Sequence, residues 1–144
     1  RRKAETVLDR PELFRRDVWV LAADTIVVLE GKVLGKPSDA AEAKSMLERL
    51  QNRTHEVMTG VCLLNRRRKV SQQVADRSFV RFREIGTEEM DDYIRSGEPF
   101  DKAGGYAVQG MGRRFVRDVS GSFTNVVGLP MEQVDHLFRR LGIS

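Results

Sequence analysis

Apolar positions recur along this chain with two periods, and each period marks a kind of element. In RRKAETVL (1–8) Ala4, Val7 and Leu8 share one helical face, and the pattern breaks at 9–11. In DAAEAKSMLERLQ (39–51) Ala43, Met46, Leu47 and Leu50 recur at i, i+3, i+4 and i+7, which predicts an amphipathic helix with Ser38 as its N-cap. TEEMDDYIRSG (87–97) places Met90, Tyr93 and Ile94 inward behind a Thr87 cap and an acidic first turn, and Gly97 ends it. A closing helix has Pro130 early in its first turn, Val134, Leu137, Phe138 and Leu141 inward, and Gly142 as its stop.

Between these lie strand patterns. Residues 18–23 form a buried run, and after Asp24-Thr25 the segments 26–29 and 33–34 flank a Glu30-Gly31-Lys32 turn as a hairpin. THEVMTGVCLLN (54–65) reads as a central strand because 61–64 are apolar throughout. Over 71–85 the second half alternates, with Phe79 and Arg81 on one face and Val80 and Phe82 on the other. RRFVRDV (113–119) is the last strand. DKAGGYAVQGMG (101–112) carries too many glycines for an ordinary element and reads as a loop enclosing a short strand. No repeat, linker or low-complexity tract interrupts the pattern, so 1–144 reads as one mixed α/β domain.

Composition narrows the picture. The chain has 144 residues, 40% hydrophobic and 32% charged, which fits a soluble globular domain able to bury a core. No apolar run is long enough to span a membrane. The single cysteine, Cys62, cannot close an internal disulfide and favours a reducing compartment, the cytoplasm. A net charge of +4 favours anionic ligands, and nucleotides or other phosphates suit it as well as nucleic acid does. Aromatics make up only 7% and form no strip with the basic residues, so a nucleic-acid platform gains little support. Arg66-Arg67-Arg68-Lys69 reads as a solvated hairpin turn.

The candidate chemistry starts at Asp24, a carboxylate set inside an apolar run where burial without a partner would be costly. At a strand end it could project into a crevice, accept a proton from water, or help hold a divalent cation; the alternative is a turn aspartate satisfied by backbone amides. Lys36, in a Gly-Lys-Pro loop, offers a point charge to a phosphate or is a surface lysine. Lys3 and Lys102 carry the same two readings, and Gly104 and Gly105 would let a ligand approach the backbone beside Lys102. Gln109 pairs a donor with an acceptor, matching the N3–H and O4 edge of uracil or thymine, or else ties its loop to itself. Neither His55 nor His136 belongs to a zinc spacing, and there is no Ser-His-Asp arrangement or Walker A pattern.

In order, KA (3–4), AADTIVV (22–28), GKP (35–37), THEVMTGV (54–61), DKAGGYAVQG (101–110) and GSFTNVVGLP (121–130) closely resemble the Maf family of nucleoside triphosphate pyrophosphatases. The resemblance implies a mixed, twisted α/β sheet flanked by helices, inosine-triphosphatase-like, with two lobes around a nucleotide cleft. It implies hydrolysis between the α and β phosphates, assisted by a divalent metal, magnesium or manganese. By position, Asp24 is similar to the family's proton acceptor and a candidate metal ligand, and Lys3, Lys36 and Lys102 are similar to its triphosphate contacts. Thr25 and Gln109 fall where the family sorts substrates and resemble the branch acting on dTTP, UTP and some modified uridine nucleotides; the branch acting on 7-methylguanosine triphosphate has glutamine after the aspartate.

Family members begin with a strand and a Ser-x-Ser-Pro-Arg-Arg loop, and no such segment precedes Arg1-Arg2 here, so the domain reads as N-terminally incomplete. If nothing else belongs to it, weak or absent catalysis is expected. Two further readings therefore stand beside the pyrimidine pyrophosphatase: the same reaction on another nucleotide, and a nucleotide-binding protein with a part in controlling cell division. Related proteins often pair as dimers, though no interface can be picked out in the sequence.

Overall fold

The computed structural model describes residues 1–13 and 16–143. Helix α1 (Arg2–Leu8) and a 3₁₀ turn lead to strand β1 (Val20–Leu29), which reverses into β2 (Lys32–Leu34). Helix α2 (Ala40–Leu50) precedes a long hairpin of β3 (Thr54–Asn65) and β4 (Val70–Phe82). Helix α3 (Thr87–Arg95), three 3₁₀ turns, β5 (Val116–Ser120), α4 (Phe123–Val127) and α5 (Met131–Leu141) complete the order.

The strands form one sheet in the order β2-β1-β3-β4-β5, so the apolar run 61–64 does lie on the central strand. Every pairing among the described residues is antiparallel, where a mixed sheet was expected. The connections account for two of the four pairings. Neighbouring strands β1–β2 and β3–β4 are joined by tight turns, and such turns can only produce antiparallel pairs. Positive φ at Glu30 (51°) and Gly31 (76°) gives the first turn the twist that two-residue hairpins favour.

One sheet face carries the main core. Val27, Leu29, Val57, Val80 and Phe82 pack there with Leu47 and Leu50 of α2, Met90 and Tyr93 of α3, and Phe115. Full burial of each large apolar side chain contributes about 1.5–3 kcal/mol, against about 1 kcal/mol for a helix cap, so packing fixes α2 more than its cap does. On the opposite face α1 buries Ala4 and Leu8 against Cys62 and Leu64, with Val20 and Ala22 alongside. The hairpin at 66–69 is exposed, as expected, and two of its arginines also pair with acids, Arg66 with Asp9 at 2.5 Å and Arg68 with Asp17 at 2.8 Å, which fastens the chain ahead of β1 to the sheet.

Several boundaries differ from expectation. Strand β1 does not stop at Asp24 but runs through it, paired with Gly60 of β3. The cap of α2 is Asp39, which accepts from Glu42 N–H, while Ser38 donates to the Glu42 carboxylate. Gly86, and not Thr87, caps α3. The 101–112 segment contains no strand, because positive φ at Gly104, Gly105 and Gly110 folds it into successive turns. The short α4 ahead of α5 was not foreseen; five residues are too few for an apolar period to show.

Candidate active site

Strand β1 alternates, so Asp24 lies on the α1 face with Val20 and Ala22, while Thr25 lies on the core face with Val27. The carboxylate is exposed, its side chain retaining 73% of its accessible surface, so it escapes the desolvation that made it conspicuous in the sequence. Lys3, in the first turn of α1, donates from Nζ to Asp24 Oδ1 at 2.6 Å. Residue 24 has room because its neighbour across the strand pair is Gly60.

Asp24 and Thr25 open onto a cleft of about 480 Å³. Its floor is apolar (Val27, Val57, Val108, Val126), and its polar groups include Lys36, Asp101, Lys102 and Gln109. Five of the six candidates from the sequence therefore share one cavity, and Lys3 reaches it through Asp24. The Lys36 loop and the Lys102 loop are stitched together, Gly104 N–H donating to the Gly35 carbonyl at 2.9 Å. Gly104 must be glycine: its φ is +71°, and a Cβ would stand 3.0 Å from the Val27 side chain. Lys102 Nζ lies 2.8 Å from Asp101 Oδ1. That hydrogen bond, with weaker help from Lys36, holds the Asp101 carboxyl below the usual range.

Thr25 is positioned by a hydroxyl chain. Thr59 donates its single proton to the Asn125 carbonyl at 3.0 Å, so Thr25, 2.9 Å away, donates to Thr59. Thr25 is left able only to accept from a ligand. Asn125, fully buried, donates to the Val57 carbonyl and to Ser78 Oγ, which holds α4 on β3 and β4 and places Val126 and Val127 at the cleft.

Gln109 is exposed, and no partner among the described residues takes up its amide, so it does not tie its own loop. Other groups do that. Tyr106 Oη meets His55 Nε2 at 2.6 Å inside the core, and Tyr93 Oη lies 3.1 Å from the Gly105 carbonyl. Glu98 accepts from Met111 N–H at 2.9 Å and Gly112 N–H at 3.0 Å. Burial lowers the His55 pKa to about 4, so the ring is neutral, and its Nδ1 has no hydrogen-bond partner among the described residues.

Sequence reasoning missed Asp101, Thr59, Asn125 and Glu98. Asp101 stood beside Lys102 in the quoted DKAGG run, whereas the other three act on backbone groups 13 or more residues away, which periodicity does not register.

Among the described residues no group of three or more His, Cys, Asp or Glu could hold a metal ion alone. The two cleft carboxylates, Asp24 and Asp101, instead fit a hard cation that takes most of its ligands from phosphate oxygens and water. No helix of the described residues is long and apolar enough to cross a membrane.

Curated relatives are similar over most of this chain. A dTTP/UTP pyrophosphatase of Methylococcus capsulatus is 52% identical over 128 residues, covering 89% of this chain and 62% of that protein. One of Myxococcus xanthus is 48% identical over 143 residues, 99% of this chain and 69% of that protein. One of Caldicellulosiruptor saccharolyticus is 42% identical over 142 residues, 99% and 71%. The chain thus spans about three fifths of the length of several of the relatives it matches, 62% for the Methylococcus protein. Residues 1–141 match the family described as Maf-like protein, and with the relatives this places the chain in the Maf-like family.

Proposed function

We propose that this protein hydrolyses dTTP and UTP to the monophosphate and pyrophosphate. The observation that carries the reading is the cleft itself, which gathers a solvent-accessible carboxylate, lysines and an unengaged amide around an apolar floor. In this reading the base lies on the valines, with Gln109 answering its N3–H and O4 edge and Thr25 accepting a further hydrogen bond. Lys3, Lys36 and Lys102 neutralise the triphosphate. Water attacks the α-phosphorus, Asp24 accepts its proton, and the bond from the α-phosphorus to the α–β bridging oxygen breaks as pyrophosphate leaves. A divalent cation, magnesium or manganese, bound between Asp24, Asp101 and the phosphates would add positive charge where the leaving group becomes more negative. The names of the relatives support the choice of nucleotides. The reading includes a cytoplasmic protein, consistent with a buried Cys62 thiol that needs no partner, and a homodimer as a form to be tested.

The test is pyrophosphate release from dTTP, UTP, CTP, GTP and 7-methyl-GTP, with magnesium, with manganese and with chelator. Release confined to dTTP and UTP and dependent on the cation is the expected result. Nucleotide that raises the melting temperature without releasing pyrophosphate would replace the enzyme with a binding protein. Light scattering in the same buffers reads the oligomeric state.

A further inference from the structure

We propose that Glu98 is the positioning residue that presents Gln109 to the nucleotide base, an inference that rests on the pyrimidine reading of the cleft. Gln109 sits in a segment with few side-chain anchors of its own, between buried Val108 and a glycine with φ of +98°. What fixes the segment is a buckle beneath it. Glu98 Oε2 accepts from Met111 N–H and Oε1 from Gly112 N–H, which secures the exit from Gln109. Tyr93 Oη lies 3.3 Å from Glu98 Oε1 and 3.1 Å from the Gly105 carbonyl, one proton facing two acceptors, which secures the entry. Burial, then the Glu98 charge, pushes the Tyr93 pKa up, so it stays a donor.

The glycines fit around this carboxylate. A Cβ on Gly110 would stand 2.9 Å from Glu98 Oε1, and one on Gly112 would stand 3.1 Å from Tyr93 Oη. Gly97, with φ of +79°, turns the chain from α3 so that Glu98 faces inward, and buried Pro99 follows it. One carboxylate, reached from α3, therefore satisfies two backbone donors beyond Gln109, those of Met111 and Gly112, and shares the hydroxyl that holds the other end. Met111 N–H and Gly112 N–H are thereby withdrawn from competition for the Gln109 amide, which stays available to a ligand. Glu98 itself does not line the cleft, so its effect on the base passes through the segment.

The isosteric change Glu98→Gln tests this. It keeps the volume but sets an NH₂ against one of the two N–H groups, converting an acceptor contact into a donor–donor clash. The expected result is a rise in KM for UTP of about tenfold, kcat within about twofold, and a loss of preference for UTP over CTP of about tenfold. A change in kcat alone, or an unchanged UTP/CTP ratio, would overturn the proposal, since a merely structural role has no reason to move base preference. Hydrogen exchange provides a readout that needs no activity. The amides of 106–112 should exchange about tenfold faster in the variant while β3 and β4 keep their protection, and unchanged exchange there would also overturn the buckle. If the unmodified protein acts on neither dTTP nor UTP, the proposed function fails on its own, and the exchange data still decide whether Glu98 holds the segment.

Discussion

Asp24 and Lys3 form a close ion pair in which both partners face water, their side chains keeping 73% and 65% of their surface. Exposed pairs of this kind contribute little, commonly below about 1 kcal/mol, so the pair is a poor explanation for the fold and a better one for a site. Asp24→Asn separates the two. Unfolding free energy should change by no more than about 1 kcal/mol in a urea titration, and pyrophosphate release should fall by about 10²–10⁴-fold, the usual worth of a general base. A variant that keeps its activity removes Asp24 from that role. Most of the candidate site was legible at this scale because AADT, GKP and AVQG are local strings. Thr59 and Asn125 were not, since a threonine in a strand and an asparagine in a short helix look ordinary until folding sets them against Thr25.

At the scale of elements the glycine-rich segment carries the most consequence. Gly104 and Gly31 both have positive φ, 71° and 76°, but a Cβ at Gly31 would meet nothing within 4 Å. Gly31→Ala should therefore cost only the backbone strain, about 1 kcal/mol. Gly104→Ala adds overlap with the buried Val27 side chain and should cost about 2–4 kcal/mol in total. Thermal unfolding of the two variants compares them directly, and equal losses would mean the approach of the Lys102 loop to β1 is looser than described. Helix α2 and the β3–β4 hairpin could be read in advance because each element spans 11 or more residues, long enough for its apolar pattern to show locally. The 101–112 segment could not, because its shape depends on Glu98, Tyr93 and His55, none of which lies within it.

For the molecule as a whole, the two halves of its acid response have different origins. His55 is buried neutral with its pKa lowered to about 4, so the unfolded chain takes up a proton first as pH falls. Its contribution is intact above the unfolded value near 6.5 and is lost progressively from there toward 4. Between pH 7 and 4.5 this amounts to about 2 kcal/mol. Asp17, lowered to about 2 by its hydrogen bonds to Arg68 and then Asn65, contributes above its ordinary value of 3.8 and loses that contribution as pH falls toward 2. Urea unfolding at pH 7, 5.5 and 4.5 should show the His55 slope in the protein and a much shallower one in His55→Gln. Equal slopes would mean that the ring titrates in the fold as it does in the unfolded chain.

The sequence alone determined which stretches would be helix and which strand, where long apolar periods or turn residues spoke locally, and it named the polar residues that the cleft collects. Tertiary structure decided what no local pattern holds. It made every strand pairing among the described residues antiparallel, and it turned Asp24 from an apparently buried charge into an exposed one by carrying β1 past it beside Gly60. It also set two of the loop's backbone donors, Met111 and Gly112 N–H, on Glu98, while Gln109 stayed exposed. The physical reason is common to all three. Periodicity reports the environment of a residue along its own element, whereas strand direction, exposure and hydrogen-bond partners are set by groups distant in sequence that meet only after the chain has folded.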